Sequence, residues 1–159
     1  MKSPRLIMAF ALAASLLTAC TSGAPAASPK PDSLAIFDGR AWHQLAPGDT
    51  ANAAVVRTLD RLIGGLDTPL YSAFPPERFA AEIAALPRLE ASWAKPVTLK
   101  GKGYQPTAIR LAVVITDGSR LVMSQPADGA NWVLCETSDA GRFDELVRAV
   151  KTRTGVSIQ

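Results

Sequence analysis

This chain of 159 residues is poor in the side chains that do most enzyme chemistry: it holds one histidine and two cysteines. A zinc site needs three or four ligands, and His43 has no companions at metal-ligand spacing, so no metal site is expected. A phosphate-cradling loop is missing too. "GKGYQP" (Gly101 to Pro106) lacks the GxxxxGK[ST] spacing and the strand-to-helix setting, and reads as a flexible connection between two strands. Ser33, Ser72 and Ser119 lie in no nucleophile-elbow pattern. No cofactor is expected. No basic block with interleaved aromatics occurs, which argues against nucleic acid as a partner. The loose basic stretch Lys95, Lys100, Lys102 and Arg110 reads as a solvated sheet edge. Nor is there an apolar run long enough to span a bilayer. The longest, Leu6 to Leu17 ("LIMAFALAASLL"), would reach about 18 Å as a helix, against roughly 30 Å of hydrocarbon.

That short run is informative for what surrounds it. Lys2 and Arg5 give a basic start, the apolar run follows, and it ends at "LTAC", Leu17-Thr18-Ala19-Cys20. This is the layout of a secretory signal peptide over residues 1–19. Position by position, Leu17 to Cys20 resembles the lipobox of bacterial lipoproteins. The resemblance implies a diacylglyceryl group on the Cys20 thiol, cleavage after Ala19, and acylation of the new amine. It also implies a sorting outcome: Thr21, rather than Asp, follows the cysteine, which favours the outer membrane, facing the periplasm. One myristoyl chain binds a membrane marginally, but two or three long chains at about 0.8 kcal/mol per buried methylene make a permanent anchor.

Removing residues 1–19 takes Lys2 and Arg5 with it, so the formal charge falls from +3 to +1. Residues 20–33 hold the lipidated cysteine and a Pro-, Ala- and Ser-rich stretch with no large apolar side chain. It cannot offset its ordering entropy and reads as a disordered tether. Its reach is about 20 Å as a coil and roughly 40 Å as polyproline II. Residues 34–159 suffice for one globular domain.

Within that domain the pattern predicts a short strand from Leu34 with a turn at Asp38-Gly39. A helix follows, capped by Asp49 or Thr50, striped by Val55, Val56, Leu59, Leu62 and Ile63, and ended by Gly64-Gly65. A second helix opens at Pro75-Pro76, buries Phe79, Ile83 and Leu86, and stops at Pro87. Pro96 to Lys100 reads as a strand. Thr107 to Thr116 is a β-branched strand, and Asp117-Gly118 turns it so that Val113 faces Val122. Pairing Gln125 with Asn131 then sets Trp132 beside Ser124, Leu134 beside Val122 and Glu136 opposite Arg120. On that register Trp132 and Leu134 share a face with Leu111, Val113 and Val122, while Val133 and Cys135 share the other with Val114, Leu121 and Met123. A last helix, Ala140 to Arg153, buries Phe143, Leu146, Val147 and Val150. The expectation is an α+β domain: a mainly antiparallel sheet of about four strands, the C-terminal helix on one face and the N-terminal helices, or a partner, on the other.

Cys135 is the only thiol left once Cys20 is lipidated. Three readings stand: a buried side chain, a bridge to another chain, or a nucleophile served by His43. Apolar neighbours favour the first. Trp42 and Trp93 are candidates for a contact patch or for the core. The functional expectation is a membrane-anchored envelope lipoprotein, a non-enzymatic binding or assembly module with an envelope protein or glycan as partner. Two alternatives stand beside it: a small envelope enzyme using Cys135 and His43, and a structural subunit of an envelope complex.

Overall fold

A computed structural model of the chain describes residues 27–116, 121–137 and 139–155. Cys20 and the lipobox lie outside the described residues, as do the Asp117-Gly118 turn and Arg120. The fold is α+β, built on one seven-stranded antiparallel sheet. In chain order the strands are β1 (Ser33–Phe37), β2 (Trp42–Leu45), β3 (Leu66–Phe74), β4 (Arg88–Thr98), β5 (Thr107–Val114), β6 (Val122–Gln125) and β7 (Trp132–Thr137). Their spatial order is β2-β1-β4-β5-β6-β7-β3. The helices are α1 (Ala53–Gly64), α2 (Pro76–Arg78), which continues as a π-helical turn over Phe79–Ile83, and α3 (Ala140–Thr154).

Local rules account for α1 and α3. Asp49 accepts the Ala51 amide at 2.9 Å and caps a 3₁₀ turn, Thr50–Asn52, that leads into α1. Asp139 caps α3 in the same way through the Gly141 amide, and Gly155 ends it. Val55, Leu59, Leu62 and Ile63 of α1 and Phe143, Leu146 and Val150 of α3 are buried together against one sheet face. That face carries Leu34, Ile36, Leu89, Ala91, Leu111, Val113, Val122 and Cys135. Each large aliphatic chain buried this way contributes about 1.5–3 kcal/mol. Among the described residues no helix is long and apolar enough to cross a membrane.

The sheet departs from the sequence expectation in three ways. It has seven strands, not about four: β2 and β3 are additional, and β4 starts at Arg88 rather than Pro96. Pro96 sits in the register break between Ser92 and Val97, where no ladder donor is needed. The N-terminal helices do not share the far face. α1 packs beside α3, and only the short helix after Pro75 crosses over, covering Ala112, Val114, Met123 and Trp132 with Phe79 and Ile83.

The third departure is register. β5 and β6 pair as expected, Val113 with Val122. β6 and β7 pair one residue out: Ser124 faces Val133, and Val122 faces Cys135. Continued, this sets Glu136 opposite Leu121 rather than Arg120. Gly129, at φ +67°, lets its amide close a turn onto Pro126, and Asp128 takes the Ala130 amide, so the ladder resumes a residue late. A one-residue slip reverses every side chain of the strand. Trp132 and Leu134 therefore join Met123 and Val114, while Cys135 and Val133 join the helix-covered face. One exposed ion pair is worth about 0–1 kcal/mol, less than burying an indole.

The start of the described chain also differs from the expected tether. Residues 28–32 are seated on the domain. Ser28 donates its amide to Asp60 at 2.9 Å and accepts the Lys100 amide at 2.8 Å. The Trp93 indole donates to the Pro29 carbonyl, Pro31 is buried, and Asp32 bonds the backbone of Ser92 and Ala94. Three of the five are anchored by backbone or side-chain hydrogen bonds from β4 or the loop after it, which offsets the ordering entropy that composition alone left unpaid.

Candidate functional site

The far sheet face is covered only in part. Alternation along "RLEASW" sends Leu89, Ala91 and Trp93 to the core and Arg88, Glu90 and Ser92 to this far face. Arg110 on β5 lies on the same face, opposite Ser92. Glu90 accepts from Arg88 Nε at 2.7 Å and from Arg110 at 2.6 Å, so one carboxylate is held between two guanidiniums. Arg88 is buried and also donates to the carbonyls of Ala84 and Leu86, which end the short helix.

Aromatic rings line this row of charge. The Arg88 guanidinium lies 4.8 Å from the Trp42 ring centroid, 5.0 Å from Phe37 and 5.8 Å from Phe79. Arg110 lies 5.5 Å from the Trp132 ring. Phe79 covers the Trp132 end. At the other end nothing from the described chain covers Trp42, which is 45% exposed although it packs on Phe37 at 5.2 Å. A depression of about 340 Å³ opens there, lined among others by Trp42, Gln44, Glu90, Ser92 and Arg110. Its chemistry is a flat indole beside planar hydrogen-bonding groups already fixed by one another. Of the two cations that hold Glu90, Arg110 lines the depression and Arg88 is buried away from it.

The residues singled out from sequence fall elsewhere. His43 sits on edge strand β2, with Nε2 2.7 Å from the Asp38 carboxylate. That contact, followed by the amides of Ala41 and Arg40, lowers the Asp38 pKa to about 2. Cys135 is on β7, five strands away, or about 24 Å at ordinary strand spacing. The two do not form a pair. Cys135 is buried, with its sulfur 3.7 Å from the Ser124 hydroxyl, and burial raises its pKa. Its surroundings are Ser124, Val122 and Tyr104 rather than Leu121 and Met123, a consequence of the reversed strand. Desolvation likewise raises the Tyr104 hydroxyl.

Of the two tryptophans considered for a contact patch, Trp93 is buried and Trp42 is exposed. The basic stretch is not a sheet edge: Arg110 belongs to central strand β5, and Lys100 and Lys102 lie in the loop between the central strands β4 and β5. That loop is tied down, not free. The amides of Gly103 and Tyr104 both donate to the Leu66 carbonyl, so they are unavailable to a phosphate. A Cβ on Gly103 would collide with Asp67, and one on Gly101 with Leu66 and the Tyr104 carbonyl, which explains both glycines as close backbone approach. Among the described residues no group of three or more His, Cys, Asp or Glu side chains is placed to hold a metal ion.

Arg88, Glu90 and Phe37 went unnoticed in the sequence. Their signal was the polar-apolar alternation from Arg88 to Trp93, which marks a strand with two distinct faces directly after the helix-stopping Pro87. Compared with protein-family models, with curated proteins and with solved structures, the chain has no match.

Proposed function

We propose that this chain is a membrane-anchored envelope lipoprotein, held through acyl chains on Cys20 at the outer membrane, and acting as a non-enzymatic binding module facing the periplasm. The observation that carries the binding role is the uncovered half of the far sheet face. Trp42 offers an apolar plane, and Glu90 with Arg110 offers charged groups whose geometry is set before any ligand arrives, which lowers the ordering cost of binding. An indole beside such planar groups suits a saccharide ring, so an envelope glycan is the preferred partner. The anchoring role rests on Leu17-Thr18-Ala19-Cys20 behind a signal-peptide pattern.

Two measurements test this. Mass spectrometry of protein purified from membranes should show a mature N-terminus at Cys20 with added acyl mass; a different N-terminus removes the anchor. Co-sedimentation with purified cell-wall glycan should fall by about tenfold for Trp42→Ala, assayed well below the variant's own melting temperature, the loss of one well-packed aromatic contact. Equal sedimentation of the variant and the parent would remove the glycan role.

The enzyme alternative lacks its geometry, with His43 and Cys135 about 24 Å apart across the sheet. The structural-subunit alternative has one supporting feature: Leu70 is 56% exposed on edge strand β3, where a second chain has room to pair. Sedimentation equilibrium of the acylated protein in detergent decides it, a protein monomer per micelle being the result against it.

A further inference from the structure

The seat of residues 28–32 fixes where the described chain begins. Ser28 is pinned between Asp60 of α1 and the Lys100 amide, so Ala27 lies beside the C-terminal half of α1 and the loop after β4. This point is ringed by cations. Lys30 and Arg57 lie on one side, against the apolar flank of α1, and Lys100 and Lys102 on the other. None of the four has an ion pair among the described residues. Of the carboxylates nearby, Asp60 accepts the Ser28 amide and Asp67 lies against Gly103, the residue after Lys102. Farther along the same cleft, Arg61 and Arg142 are matched by Glu145 and Asp139.

On the reading that Cys20 carries the lipid, seven chain steps separate it from Ala27. Seven residues reach about 15 Å as a flexible coil and roughly 25 Å fully extended. A linkage of that length holds the cations around Ala27 within about two to three Debye lengths of the headgroups, and a domain that settles closer brings each lysine or arginine into the attraction of a negative lipid surface. The open Trp42 depression lies on the opposite face of the sheet from α1.

We infer that Lys30, Arg57, Lys100 and Lys102 form a membrane-facing surface that seats the domain on anionic lipid headgroups and turns the Trp42 face away from the bilayer. The inference rests on the anchor proposed above. It differs from a slack tether in kind, because a slack tether presents all faces to the lipid equally.

The test uses the native acylated protein in vesicles of phosphatidylcholine, with or without roughly one-third phosphatidylglycerol, labelled by a water-soluble amine reagent. Lys151 is the internal comparison. It is exposed on α3, about 13 Å along that helix from Arg142 and on the far side of Arg57 from Lys100 and Lys102. Lys102 should label about threefold more slowly on the anionic vesicles than on the neutral ones, with Lys151 slowed less. About 0.5 M salt should restore the Lys102 rate. Lys100→Glu with Lys102→Glu should raise the labelling of Lys30 on anionic vesicles to its rate on neutral ones, and the salt result stands without any variant. The same digests report the mass of the Cys20 peptide. Acyl mass present with no slowing at Lys102 overturns the seated surface and leaves the anchor standing. Acyl mass absent overturns the anchor and the surface with it.

Discussion

Phe79 and Trp132 stack nearly parallel, 7° apart, with ring centroids at 4.2 Å. One ring comes from the π-helical turn after α2 and the other from β7, so this contact closes the covered half of the far sheet face. Removing the Phe79 ring uncovers Trp132, Met123 and Val114 together. Phe79→Ala should cost about 3–4 kcal/mol, read as a shift in the urea midpoint at constant slope.

Glu90 is the single anion between Arg88 and Arg110, and Arg88 is the buried one. Glu90→Ala leaves that guanidinium uncompensated and should destabilise by about 3 kcal/mol. Arg110→Ala removes a partner that is 42% exposed, so it should cost less than about 1 kcal/mol. Equilibrium unfolding of both variants checks the asymmetry.

Gly103→Ala forces a methyl group onto Asp67, in a loop whose amides hold the start of β3. A loss of about 1–3 kcal/mol is expected. Lys102→Ala, one residue away on the exposed side, should stay within about 0.5 kcal/mol. Thermal melts of the pair separate backbone approach from loop composition.

Asp38 has a pKa lowered from 3.8 to about 2, first by His43 and then by the Ala41 and Arg40 amides. A group depressed in the folded state adds stability above its unfolded pKa. That contribution is complete above about pH 4 and is lost as pH falls through about 2. Asp38→Asn removes the ionisable group, so the stability gap between parent and variant should close over that window. Urea midpoints measured at several pH values give the gap, and a constant gap from pH 5 to 2 would contradict the assignment.

Cys135 is enclosed by β6, β3 and the loop after β4, with its thiol pKa raised by burial. Aromatic disulfide reagents should modify it at least about a hundredfold more slowly in the folded protein than in urea, since reaction awaits opening of the core. Fast modification of the folded form would revive a nucleophilic role.

Much of this architecture was legible from short-range patterns. α1 and α3 follow from caps, apolar stripes and terminal glycines that act within a few residues of one another. The pairing of β5 with β6, Val113 with Val122, has the register that the Asp-Gly pair in the sequence led one to expect. β4 was half legible: Pro96 to Lys100 marks its end, while the alternation from Arg88, which marks its start, went unread. β3 was illegible. "LDTPLYSAF" carries Asp, Thr and Pro, and is a strand because β7 and the Gly103 loop hold it along both its edge and its start.

Sequence by itself determined the helices, the central hairpin and the α+β character, because the forces involved act between near neighbours. Tertiary structure alone decided which way β7 faces, where residues 28–32 dock and which aromatic stays uncovered. Each of those choices compares contacts between segments distant in the chain. A ring finding Phe79, or a serine finding Asp60, has no trace in the local pattern and becomes decisive only after the sheet has brought the two together.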